Sequence, residues 1–95
     1  MENMKIEFKK PYNFEGKEYK DIDLSNAVNL STKDLIEADK LFNSSGQMAL
    51  MNEMATGYTC IIASMATGLP IEFFDNLPAR EGLKVKNKVM GFLNA

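Results

Sequence analysis

The first quarter of the chain alternates between apolar and charged positions. Ile6 and Phe8 sit among charged neighbours, and Tyr19-Lys-Asp-Ile22-Asp-Leu24 repeats the pattern more loosely. That is the period of a half-buried strand. Pro11 limits pairing, while Glu15-Gly16-Lys17 supplies a turn whose glycine tolerates positive φ. Residues 5–24 therefore predict an antiparallel β-hairpin or small meander. So few strands are marginal alone and need a surface to pack on. Ser25-Asn-Ala-Val-Asn-Leu30, which follows, reads as further strand.

From residue 31 the period becomes helical. Ser31 stands three residues before Asp34 as in a capping box, and Leu30 and Leu35 take the places of a hydrophobic staple. Leu35, Ala38, Leu41 and Phe42 form one apolar stripe, and Asn43-Ser-Ser-Gly46 ends it. A second, longer helix is predicted from about Gln47 to Thr67. Met48, Met51, Ala55, Tyr58, Ile62 and Met65 recur along it at alternating spacings of 3 and 4. Gly68 and Pro70 close that helix, a short helix follows over Ile71–Leu77, and Pro78 opens a last one reaching Leu93. Strands first and helices after is the order of an α+β fold. The expectation is one domain over residues 1–95: a hairpin at 5–24, then a bundle of about four helices at 31–93.

The stretch MATGYTCIIASMATGLP, residues 54–70, extends to Ile71 without one charge. Its Thr, Ser, Gly and Tyr dilute the apolar content below that of a membrane span. Met-Ala-Thr-Gly occurs at Met54–Gly57 and again at Met65–Gly68, and this eleven-residue shift returns to within ~20° of the same helix face. Small residues on that face admit another backbone, either a partner's or, in the favoured reading, a neighbour within the same fold. Methionine fills irregular cores and equally makes adaptable binding surfaces. Both uses stay open for Met48, Met51, Met54 and Met65.

Composition narrows the chemistry. The chain is 45% hydrophobic and 25% charged, as in ordinary globular proteins, with net charge −2. That acidity speaks against nucleic acid as the main partner. Cys60 is the single cysteine, so no internal disulfide forms, and within its apolar helix it reads as a small core hydrophobe. Histidine is absent, which removes a common general base and metal ligand. Asp21 and Asp23 share one side of a strand without further ligands at useful spacing, so a solvated face is expected. Neither GxxxxGK[ST] nor GxGxxG occurs. Arg80, Lys84, Lys86 and Lys88 give the last helix a basic face, either solubilising or suited to an acidic protein. No catalytic set, metal site or cofactor is expected. The start MENMKIEFKK lacks an apolar leader region, which favours a cytoplasmic protein.

The ordered string of motifs goes further. A strand leads to Pro11-Tyr-Asn-Phe14-Glu-Gly16-Lys17, then to Ile22-Asp-Leu24 and Thr32-Lys-Asp34-Leu35. A long apolar helix ends in Thr67-Gly68-Leu69-Pro70, and Leu77, Phe92 and Leu93 follow. In this order the sequence resembles the tail assembly chaperones of long-tailed bacteriophages, the group of Mu-like and P2-like tail assembly proteins. It departs from them at Glu81, where relatives usually carry Asp, and between Leu24 and Ser31, where an Arg-Pro is often seen.

The resemblance implies a non-catalytic protein of the bacterial host cytoplasm, absent from the finished virion. It would bind the phage tape measure protein and keep it soluble until tail tube protein displaces it and polymerises. It would be a homo-oligomer that engages neither nucleic acid nor membrane. Two alternatives are a small tail or head-completion protein kept in the virion and a regulatory adaptor. The surface expected to meet the client is the exposed part of the long helix, Met48, Met51, Met54 and Tyr58, with Phe73 and Phe74 beside its stop.

Overall fold

In a computed structural model the chain is described over residues 4–44 and 56–93. Strand β1 (Lys5–Phe14) and strand β2 (Lys17–Asp23) form an antiparallel pair. Four helices follow: α1 (Thr32–Ser44), α2 (Thr56–Thr67), α3 (Ile71–Asp75) and α4 (Ala79–Leu93). The α+β order expected from the pattern is the one observed. Met48, Met51 and Met54, with the expected start of the long helix, lie outside the described residues.

The hairpin turns at Glu15 and Gly16, both at positive φ, 50° and 80°. Its register carries an irregularity. Glu7 faces Asp21 and Tyr12 faces Tyr19, so residues 8–11 of β1 lie opposite the single Lys20. Such a bulge accommodates Pro11, which has no amide hydrogen for the ladder. Met4, Ile6, Phe8 and Ile22 point inward and are buried.

Residues 25–29 correct the expectation of further strand. Ser25–Asn29 form a 3₁₀ turn. The Asp23 carboxylate accepts the Ser25 amide at 2.8 Å and the Ser25 hydroxyl as well, and these bonds bend the chain as β2 ends. They also hold the Asp23 carboxyl below its usual range.

Helix α1 opens with the expected reciprocal cap: the Asp34 amide donates to Ser31 Oγ at 3.2 Å and the Ser31 amide to Asp34 Oδ2 at 2.8 Å. Ala38 and Phe42 are buried, but Leu41 is 48% exposed. Its place in the apolar stripe therefore faces outward, because α2 covers only the Ala38–Phe42 side.

Helix α2 is the centre of the core. Thr59, Ile62 and Ala63 are fully buried, and Tyr58, Cys60 and Ala66 nearly so. It packs against α1, α3, α4 and the 3₁₀ turn. The inner-helix reading of the uncharged stretch is thus the observed one for residues 56–67. At its end Gly68 adopts φ 75°, and its amide reaches the Ser64 carbonyl at 2.9 Å. The Ser64 hydroxyl donates to the Leu69 carbonyl at 2.6 Å and the Leu69 amide to Thr67 Oγ1 at 3.2 Å. Local groups thereby satisfy the helix end before Pro70 redirects the chain.

Candidate functional site

Most of α2 is sealed, but one stripe is not. Gly57, Ile61, Ser64 and Met65 are half-buried and follow the i, i+4, i+7, i+8 spacing of one helix face. Leu41 of α1 and Ile71 and Asp75 of α3 rise beside them, and together these residues line a hollow of about 390 Å³. A second hollow of about 450 Å³ shares Gly57 and Asp75 and runs on past Phe74 and Leu77 to Leu83 of α4. Leu83 is 52% exposed. The result is an apolar groove crossing α2 from Leu41 to Leu83, with Asp75 as the carboxylate common to both halves.

Three expected contact residues are buried, although Phe74 borders the second hollow. Tyr58 is 5% exposed, Phe73 0% and Phe74 3%, so none of them offers an exposed contact. Phe73 is the hub of an aromatic cluster: its ring centroid lies 4.8 Å from Tyr19, 5.0 Å from Tyr12, 5.0 Å from Phe74 and 5.3 Å from Phe14. The Tyr12 hydroxyl donates to the Phe73 carbonyl at 3.0 Å. Phe73 is therefore the residue by which α3 grips the hairpin. Tyr58 packs edge-on against Phe42, 6.2 Å between centroids, joining α2 to α1. Large aromatics contribute most when fully enclosed, so the hairpin and α1 claim them.

Of the groove residues, the sequence leaves Met65 open as either binding surface or core, while Leu41, Ile61, Ile71 and Leu83 carry no contact expectation. Only a weak signal existed: Gly57, Ile61 and Met65 share a helical face, but the opposite face of α2 is equally apolar.

A second arrangement joins α4 to β1. Glu81, only 4% exposed, accepts the Lys9 amide on Oε2 at 2.7 Å. Its Oε1 meets Lys84 Nζ at 2.8 Å, and that ammonium also donates to the Glu7 carbonyl at 3.1 Å. Glu81 and Lys84 thus bind backbone groups of Glu7 and Lys9 where the bulge draws β1 away from β2. Burial opposes ionisation of Glu81, but the Lys84 ammonium, the Lys9 amide and the Arg80 charge outweigh it and hold the carboxyl below its usual value. The Glu81 side chain is thus a tether between elements.

The remaining chemistry is quiet. Burial, with the Asp75 charge, pushes the Cys60 thiol up to about 11, far from a reactive thiolate. Asp21 pairs with Lys5 at 3.5 Å. Among the described residues no three His, Cys, Asp or Glu gather as metal ligands, and no helix is long and apolar enough to cross a membrane.

These features define a small α+β domain whose distinctive surface is an apolar groove on its central helix. Over residues 5–94 the chain matches the family described as phage tail assembly chaperone proteins, E, or 41 or 14, and it belongs to that family. No curated protein sequence and no solved structure matches it.

Proposed function

We propose that this chain binds the tape measure protein of its phage and keeps it soluble until tail tube subunits polymerise, without catalysing a reaction. Membership of the tail assembly chaperone family supports the reading. The observation that carries it is the groove along Gly57, Ile61, Ser64 and Met65, walled by Leu41 and Ile71. A long amphipathic helix of a client would otherwise expose its apolar face, and a groove of this kind receives such a face through residues one turn apart. Met65 adds a flexible, polarizable contact that tolerates different client registers. Release to tail tube protein requires the contact to be reversible, and a shallow groove suits that. The protein would act in the host cytoplasm and be missing from the mature virion.

The direct test is co-expression with the tape measure protein encoded by the same phage. Soluble, co-purifying client is the expected result. Ile61→Asp with Met65→Asp should abolish it while the far-ultraviolet circular dichroism stays native. A client equally soluble with the double variant would rule out this groove, and one that stays insoluble with the wild-type chain would rule out the function. Mass spectrometry of purified virions separates a chaperone, which should be missing, from a retained structural component.

A further inference from the structure

One charge interrupts the groove on α2. Among the described residues, Asp75 is the single charged side chain lining either hollow, and it lines both. Its place is central, with Leu41 and Met65 in one half of the groove and Leu77 and Leu83 in the other. Asp75 is exposed and makes no ion pair among the described residues. Ser64, a polar neighbour in the groove, already donates its hydroxyl to the Leu69 carbonyl at 2.6 Å.

Helix stability gives no reason for a carboxylate at this point. Asp75 is the last residue of α3, where a helix end favours cations over anions. Its field reaches into the groove floor, since it helps burial to push up the thiol of Cys60, which lines the second hollow. An apolar helix laid across the groove covers Asp75, and a carboxylate drawn out of water without a partner weakens binding. A lysine or arginine opposite Asp75 offsets that loss, while an acid there adds repulsion. The methylene stem of either cation lies well against apolar walls as its head reaches the carboxylate. The groove therefore discriminates among apolar helix faces by charge.

We propose that Asp75 selects the client segment: the helix seated in the groove carries a lysine or arginine midway along its apolar face, with apolar residues on either side filling the two hollows. This selectivity rests on the client reading above and adds to it the chemistry of the segment bound. Apolar contact supplies the attraction common to many amphipathic helices, and the single carboxylate fixes which of them is held and in what register. Being partly open to solvent, the pair weakens as salt shortens the screening length.

Synthetic peptides of about 20 residues, long enough for a helix of several turns, tiled along the tape measure protein of the same phage test it by titration calorimetry against the full chain. The peptides that bind the wild type should carry the apolar–cation–apolar pattern. Asp75→Asn should weaken them about tenfold and make the remaining affinity less sensitive to salt, and Asp75→Lys should abolish binding. A bound peptide remade with glutamate in place of its cation should bind Asp75→Lys better than the wild type, a rescue that a merely structural role for Asp75 would not produce. Circular dichroism of both variants should match the wild type, since Asp75 is exposed. Binding that survives both Asp75 variants but is lost in Ile61→Asp/Met65→Asp would overturn the charge selection and leave the groove standing as the client site. Bound peptides without a lysine or arginine would overturn it in the same way. Binding indifferent to all three variants, or no peptide bound by the wild type, would remove the groove reading and the role of Asp75 with it.

Discussion

Glu81 is the sharpest place to test the physical account of the fold. Replacing it with alanine removes the acceptor of the Lys9 amide, a charge-assisted bond of 2.7 Å, and the Lys84 pair of 2.8 Å. Hydrogen bonds to charged groups contribute about 1.5–3 kcal/mol, and a donor left without an acceptor in a partly buried position keeps its desolvation cost. The Lys84 side chain is 41% exposed, so solvent screens that pair and it adds at most about 1 kcal/mol. Glu81→Ala should therefore destabilise the protein by about 2–3 kcal/mol, which lowers Tm by on the order of 10–20 °C in a domain of this size. Glu81→Gln keeps an acceptor for Lys9 but loses the charge, and should cost about 1 kcal/mol.

The charge also sets a pH dependence. The native carboxyl lies below its ordinary value of 4.5, so the unfolded chain takes up its proton first as the solution is acidified. The ionised Glu81 thus stabilises the fold fully above the ordinary value, and the contribution disappears as pH falls through the lower native value. Chemical denaturation of the wild type and Glu81→Gln should give curves that are separate at neutral pH and converge in acid. A constant gap, or a Glu81→Ala variant within about 0.5 kcal/mol of wild type, the range of featureless surface changes, would refute the tether.

Three further outcomes follow from the packing. Phe73→Ala empties a fully buried aromatic site and should cost about 3–5 kcal/mol, a large share of a small domain's stability, measured as a lowered urea midpoint; a midpoint unchanged from wild type would contradict its burial. Cys60, 5% exposed with its thiol pushed up to about 11, should react with an aromatic disulfide at pH 8 only after urea unfolds the chain; rapid labelling of the native protein would contradict its burial. Gly68→Ala forces a side chain onto φ 75° in open space, so backbone strain alone should cost about 1–2 kcal/mol by thermal melting, and an unchanged Tm would show that Gly68 is not held there.

The legible parts of this protein were the local ones. The Ser31–Asp34 cap and the Gly68 stop depend on groups a few residues apart, so their identities and spacing carried the signal. The turn at Glu15-Gly16 was likewise visible, because few residues other than glycine accept that backbone. Residues 25–29 were misread because a single Asp23 side chain decides that the chain bends.

The sequence by itself determined the hairpin, the succession of helices after it and the family, since periodicity, caps and the order of motifs survive in one dimension. Only the tertiary structure decided which apolar side chains were surplus. Helix α2 carries no charge on any face, and the seam its spacing picks out groups the buried Tyr58 and Ile62 with the half-buried Met65 while passing over Ile61. The hairpin, α1 and α4 had to choose first, taking Tyr58, Phe73 and Phe74 and leaving Ile61 and Met65 half-buried and Leu41 exposed. Glu81 makes the same point for charge. Its partner lies 72 residues away in a strand bulge, and a contact of that separation exists only once the chain has folded.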